Sequence, residues 1–312
     1  MYARVLVPLD GSELAHQVLP YVRVLAMGFQ AQVELLRIFE PISPSLADPV
    51  HGLYLDQIVE SARSHAEDHL EGVAVHLRRA GLTVSSVARE GHPAAAIVQE
   101  AEMVPATLVA MCSHGRSGIT RWLLGSTTDK VLHATSQPVL VVRSRDRHAV
   151  GPDVTLSAVL VPLDGSSLAE QALPHAVALA EGLGLKVIVV KATPSQQDYT
   201  LHFAGRVSYS LAHIQALSKR ADAEAAEYLK GVCEGLRRQG VSSVDRRVLH
   251  GDPASAIIGM AGEVRDAIVV MTTHGGSGMD RWLRGSVTDR VVRHAEDPVL
   301  IIRALKDASG EV

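Results

Sequence analysis

A glycine-rich stretch carrying hydroxyls, a histidine and arginines occurs twice in this chain, with side chains and spacing suited to holding an anion. The first copy runs Ser113-His114-Gly115-Arg116-Ser117-Gly118, then Arg121-Trp122-Leu123 and Gly125-Ser126. The second runs Thr273-His274-Gly275-Gly276-Ser277-Gly278, then Arg281-Trp282-Leu283 and Gly285-Ser286. An apolar run precedes each: Leu108-Val109-Ala110-Met111 and Ile268-Val269-Val270-Met271. Strand, glycine loop and helix start is the order in which free backbone N–H groups gather around a phosphate. The Ser126 hydroxyl adds a donor, and Arg116, Arg121, Arg281 and Arg284 would bring charge to the rims. In a single copy, a turn that merely lets strand and helix pack would look the same.

A second candidate stands upstream in each half. Pro8-Leu9-Asp10-Gly11-Ser12 and Pro162-Leu163-Asp164-Gly165-Ser166 each follow a short apolar run. An aspartate there can hydrogen-bond a base edge or a ribose hydroxyl, and it can equally cap the helix that follows. His114 and His274 invite a general-base or phosphate-donor reading. No carboxylate–histidine–nucleophile set accompanies them, so structural use of the rings outweighs catalysis and no catalytic residue is assigned. His65 and His69 have the i, i+4 spacing of a metal pair. Without HExxH or a third ligand they read, with His76, as a solvated helix face, and no metal site is assigned.

Other chemistries fail on the residues. GxxxxGK[ST] is absent, and no GxGxxG follows the first strand of either half. Gly115-Arg116-Ser117-Gly118-Ile119 lacks the last glycine of a GxSxG elbow. Pro8-Leu9-Asp10 lacks the paired aspartates of phosphoaspartate enzymes, and fast phosphoryl transfer has neither base nor metal cage to support it.

The elements that must position these residues repeat with them. Val5 to Ser12 returns as Val159 to Ser166, an offset of 154; Gly91-His92-Pro93-Ala94 returns as Gly251-Asp252-Pro253-Ala254, an offset of 160. The six extra residues of the second copy therefore fall between its second and third strands. In the first copy strands are expected at Val5–Val7, Val33–Ile38, Val84–Ala88, Thr107–Met111 and Val139–Arg143. Helices are expected from Ser12, as N-cap, to about Met27, over Tyr54–Arg79 before Gly81, over Ala94–Ala101 after Pro93, and from Ser126 to Ala134. Pro41–Leu53 and Pro194–Val207 read as loops that differ between the copies. Alternating strands and helices, with near-continuous apolar strands, predict parallel sheets covered on both faces. In such folds ligands bind beyond the carboxyl ends of the strands, where both candidate stretches fall. The boundaries are a first domain at 1–145, a polar linker at 146–157, a second domain at 158–306 and a tail at 307–312.

Composition bounds the partners. The 312 residues carry a formal charge of −4 and only 4% aromatic residues, which disfavours nucleic acid and anionic membrane. The cysteines, Cys112 and Cys233, lie in different halves without CxxC spacing, as in a reducing compartment. No apolar run is long enough to cross a membrane. The chain starts almost directly in a strand, leaving no room for a signal peptide, and a cytoplasmic location is expected.

The ordered set of Pro-x-Asp after the first strand, Ser/Thr-His-Gly, nine residues and Gly-Ser, found twice, resembles the universal stress protein family over nearly the whole chain. The resemblance implies five parallel strands per half in the order 3-2-1-4-5, helices on both faces, and ATP, with Mg²⁺ on its phosphates, bound in a stress-response or signalling role with little or no turnover. It implies nucleotide contacts at Pro8, Asp10, Ile38, Met111, His114, Gly115, Arg116, Gly118, Gly125, Ser126 and Thr127. In the second half they fall at Pro162, Asp164, Ala192, Met271, His274, Gly275, Gly278, Gly285, Ser286 and Val287. It also implies an internal pseudo-dimer paired through Val139–Arg143 and Val299–Arg303, with a homodimer as a further option. The chain departs from the family's nucleotide-binding motif at its first glycine, which is Cys112 in one copy and Thr272 in the other. Two alternatives follow: a scaffold of the same fold that acts through protein partners without nucleotide, and at most a slow ATP hydrolase.

Overall fold

A computed structural model describes residues 1–40, 52–113, 124–144, 154–203, 210–273 and 287–304. They form two compact units, Met1–Val154 and Thr155–Val312. In the first unit the order is β1 (Arg4–Pro8), α1 (Glu13–His16), α2 (Leu19–Phe29), β2 (Gln32–Phe39), α3 (Gly52–Arg79), β3 (Val84–Glu90), α4 (Pro93–Met103), β4 (Thr107–Cys112), α5 (Ser126–Ala134) and β5 (Val139–Val142). The second repeats it with one more helix: β6 (Ala158–Pro162), α6 (Ser167–Glu170), α7 (Leu173–Leu183), β7 (Lys186–Thr193), α8 (Gln196–Phe203), α9 (Leu211–Arg238), β8 (Val244–His250), α10 (Pro253–Glu263), β9 (Ala267–Thr272), α11 (Val287–His294) and β10 (Val299–Ile302).

Every described strand pair within a unit is parallel. The first unit has the order β3-β2-β1-β4-β5 and the second β8-β7-β6-β9-β10, the 3-2-1-4-5 arrangement expected. Val5 lies opposite Val33 on one side and Leu108 on the other; Val159 lies likewise between Val187 and Ile268. All six residues of β4 and of β9 are buried. That continuity is what a central parallel strand covered on both faces requires. The chain winds outward in opposite directions from the first and fourth strands of each unit. The switch point, and the crevice it opens, therefore lies at their carboxyl ends.

Two expectations are corrected. The helix read from Ser12 to Met27 is two helices: α1 ends at His16, and α2 starts at Leu19 with proline in its first turn. Pro20 has no N–H to give and its ring would meet the carbonyl of His16, four residues back. Pro174 does the same between α6 and α7. The Pro194–Val207 stretch is not a plain loop, since α8 occupies Gln196–Phe203. Ser195 and Asp198 form its reciprocal cap: Asp198 Oδ2 accepts from Ser195 N–H at 2.7 Å, and Ser195 Oγ accepts from Asp198 N–H at 3.2 Å. The long helices α3 and α9 correspond at an offset of 159 (211 − 52). Five of the six extra residues therefore precede α9 and one follows it. Of the Pro41–Leu53 stretch, residues 41–51 lie outside the described residues, and Gly52 and Leu53 open α3.

Candidate functional site

The crevice is built from the turn after the first strand and from the end of the fourth. Leu9 N–H donates to Leu36 O at 2.8 Å, and Leu163 N–H to Val190 O at 2.8 Å, carrying the ladder one step past each strand. Gly11 and Gly165 then turn the chain with φ of +85° and +96°, a conformation costly for any side chain. Asp10 Oδ1 accepts from Ser12 N–H at 2.9 Å and Ser12 Oγ at 2.7 Å. Asp164 Oδ1 accepts from Ser166 N–H at 2.9 Å and Oγ at 2.6 Å. Each serine in turn caps its short helix, accepting from Ala15 N–H at 3.2 Å and from Ala169 N–H at 3.1 Å. The aspartate thus braces the capping serine and does not itself cap the helix. Asp10 is half-buried and Asp164 exposed, and Pro8, Ile38, Pro162 and Ala192 are all half-buried beside these turns.

A cation seats on each turn that the sequence reading missed. A β-carbon on Gly11 would come within 2.9 Å of Arg37 Nη2, and one on Gly165 within 2.8 Å of Lys191 Nζ. Arg37 and Lys191 occupy the same position of β2 and β7, one residue before Ile38 and Ala192. Lys191 Nζ donates to Asp164 O and lies 4.9 Å from the Tyr228 ring centroid. The sequence signal was a basic residue at the same step of the two corresponding strands.

At the fourth strands, the position that departs from glycine is buried in both units: Cys112 is 7% exposed and Thr272 5%. Cys112 Sγ points to α1, donating to Ala15 O at 3.6 Å, and burial pushes its thiol up to about 12, so it stays protonated. The strand carbonyls at these positions are held alike: Thr128 Oγ1 donates to Cys112 O and Thr288 Oγ1 to Thr272 O, each at 2.9 Å. These threonines were not singled out from the sequence. Ser113 N–H donates to Val142 O at 2.8 Å, Thr273 N–H to Ile302 O at 2.9 Å, and Gly125 N–H to Ser113 O at 2.7 Å. The last bond draws the two ends of the first glycine loop together. Met111 and Met271 are buried, while Ser126 is exposed and Thr127 and Val287 half-buried. His114, Gly115, Arg116, Gly118, His274, Gly275, Gly278, Gly285 and Ser286 lie outside the described residues.

The start of α5 differs from the other helix starts whose caps are described. α1, α6, α9 and α10 carry a side-chain cap, and α2, α4 and α7 carry proline in the first two positions. Among helices whose caps are described, α5 alone has neither, its N-cap being Gly125. Among the described residues its first-turn N–H groups have no side-chain cap, and they carry the partial positive charge of a helix N-terminus.

The histidines of α3 are not all a solvated face. His65 and His76 are exposed, but His69 is half-buried and its Nε2 lies 3.0 Å from His16 Nε2, one ring donating to the other. At the matching positions of the second unit Tyr228 Oη donates to Glu170 Oε1 at 2.7 Å. The fold thus ties its short first helix to its long one in both units, with different chemistry. No cluster of three or more metal-ligating side chains occurs among the described residues. None of the described helices is long and apolar enough to cross a membrane.

The sequence model of the universal stress protein family matches residues 1–143 and again 156–303. A universal stress protein of Mycolicibacterium smegmatis is 29% identical over 301 residues, covering 96% of both chains. One of Mycobacterium bovis is 32% identical over 207 residues, 66% of this chain and 63% of that one. Among solved structures, a universal stress protein from Archaeoglobus fulgidus superposes with a TM-score of 0.71 at 22% identity, covering 97% of this chain and 99% of its own.

Proposed function

Because the chain belongs to the universal stress protein family, as a tandem two-domain member, we propose that each unit binds an adenine nucleotide, ATP with Mg²⁺ on its phosphates, for signalling and not for rapid turnover. One observation carries the reading. The serine-braced aspartate turn and the uncapped start of α5 sit at the carboxyl ends of two adjacent strands, β1 and β4, on either side of the switch point. The donor set fits the ligand. First-turn N–H groups of α5 and the Ser126 hydroxyl suit phosphate oxygens, and an anion there gains roughly 0.3–1 kcal/mol from the helix start when exposed. Asp10 and Asp164 suit ribose hydroxyls or a base edge, and Ser12 and Ser166 already fix the orientation of each carboxylate. Magnesium, which keeps waters and leans on substrate phosphates, asks for no protein cage. When bound, the metal ion would offset the charge of the phosphates.

A second reading, a scaffold that works through protein partners, is favoured by one observation: side chains fill the position of the motif's first glycine in both units, at Cys112 and Thr272. The two readings separate on the purified protein. Heat denaturation followed by chromatography of the supernatant should release adenine nucleotide. Its absence, with no protection of either unit from proteolysis by added Mg-ATP, would favour the scaffold.

A further inference from the structure

At the opposite end of the second unit from the nucleotide crevice lies a cavity of about 300 Å³, lined by Cys233, Arg237, Val244, Asp245, Arg246 and Arg247. It sits between the last turns of α9 and the beginning of β8, and its charges do not cancel. Asp245 is occupied: Lys186 Nζ reaches its Oδ2 at 3.3 Å, and Arg247 Nη1 its Oδ1 at 3.1 Å. Lys186 and Arg247 together with Asp245 leave one positive charge. Arg237 is pinned by a neutral group, donating from Nη2 to Val244 O at 3.1 Å. Among the described residues the Arg246 guanidinium makes no hydrogen bond or ion pair. Glu234 is the other carboxylate near the Cys233 thiol. Three arginines therefore stand against one carboxylate in the lining of the cavity, beside the buried Cys233 thiol.

The first unit is an internal control for whether the fold needs these charges. Matching the long helices at 159, β3 to β8 at 160, and β2 to β7 at 154, Arg237 corresponds to Arg78. Arg78 also tethers its helix end to the following strand, at Val84 O, from Nε and Nη2 at 3.2 Å each. That arginine is shared because both units use it. The remaining positions are not shared: Cys233 corresponds to Ala74, Asp245 to Ser85, Arg246 to Ser86, Arg247 to Val87 and Lys186 to Gln32. The same edge strand, in the same register, folds in the first unit without a charge at any of them. Charged residues do protect edge strands from pairing with other chains, but a protective role needs neither the cavity nor a lining shared between α9 and β8. Guanidinium groups in a forked geometry match phosphoryl oxygens in pairs.

We propose that this cavity is a binding site, present in the second unit alone, for a compact dianion of the phosphate type: inorganic phosphate or the phosphoryl group of a small phosphomonoester. The site is independent of the nucleotide crevice and does not rest on that reading. Arg246 and Arg237 clamp the oxygens, Arg247 contributes from beside Asp245, and the Cys233 thiol lies against the bound group.

The test titrates inorganic phosphate into the full ¹⁵N-labelled chain, followed by amide shifts, with Arg246→Ser and Arg247→Val as variants. Both replacements install the residue that the first unit carries at that position, so the fold has already shown that it accepts them. Saturable shifts at Cys233 and Val244–Arg247, weakened at least tenfold in each variant, are expected, with ATP binding unchanged. A parallel titration with glycerol 3-phosphate assigns the source: tighter binding than inorganic phosphate identifies a phosphomonoester, and weaker binding identifies the free ion. Shifts confined to the turn at Asp10 or Asp164 and the start of α5 would overturn the proposal. So would shifts at β8 that chloride reproduces, or an affinity that neither variant changes.

Discussion

Replacing Cys112 by glycine restores the first glycine of the nucleotide-binding motif, and the structure assigns the two consequences to different ledgers. The side chain is 7% exposed and points its sulfur at Ala15 O, under α1. Removing it deletes two buried heavy atoms at ~0.8 kcal/mol per methylene-sized group. It also places a glycine in a central strand, at roughly 0.5–1 kcal/mol, and the weak S–H contact goes too. The sum is about 2–3 kcal/mol, and by the usual scaling the melting transition of the first unit should fall by on the order of 5–10 °C. Affinity for ATP should hardly move. The thiol is turned to α1, so removing it frees volume beneath that helix, and a change below about threefold is expected, less than ~0.7 kcal/mol. Differential scanning calorimetry and isothermal titration on Cys112→Gly and on Cys112→Ala read the two effects separately. A gain of tenfold or more in ATP affinity, with stability little changed, would refute the reasoning: the thiol would then occupy the ligand's space.

Other outcomes follow from single contacts. Thr128→Val and Thr288→Val keep the shape but remove the hydroxyl held 2.9 Å from a buried strand carbonyl. Each should cost about 1–3 kcal/mol in urea denaturation, with Thr128→Ser recovering most of it. Burial lowers His175 to about 4, below its value in the unfolded chain. Stability should therefore be full above about pH 6.5 and decline as pH falls toward 4, by at most about 3 kcal/mol. His175→Gln should flatten that slope in a pH series of denaturation curves, and an unaltered slope would assign the acid sensitivity elsewhere. The interhelix ties should be interchangeable. His16→Glu together with His69→Tyr installs the second unit's pair, and its stability should exceed the sum of the two single changes by 0.5 kcal/mol or more in a double-mutant cycle.

The repeat made the architecture legible, because a strand pattern seen twice at matched offsets leaves few topologies open. Proline was the point where local pattern misled. The apolar spacing after Ser12 runs on without interruption, yet Pro20 and Pro174 divide the helix for a steric reason that periodicity does not register. The helix α8 was announced by Ser195 and Asp198 as a reciprocal cap, but the flanking proline and a short, weakly amphipathic run concealed it. At the site, Asp10, Asp164 and the Gly125-Ser126 helix start were readable because each follows a buried strand at a fixed step. Arg37, Lys191, Thr128 and Thr288 were not, since each acts across a distance that the sheet register alone creates. The pairing of His16 with His69 was hidden for the same reason: 53 residues separate two rings whose nitrogens lie 3.0 Å apart.

The central claim, that both crevices hold an adenine nucleotide, is tested most directly by calorimetric titration of Mg-ATP into the nucleotide-free chain, beside Asp10→Ala and Asp164→Ala. Saturable binding of one nucleotide per unit is predicted, with each variant losing the site in its own unit and retaining the other. No heat at millimolar ATP, or binding that neither aspartate affects, would contradict it.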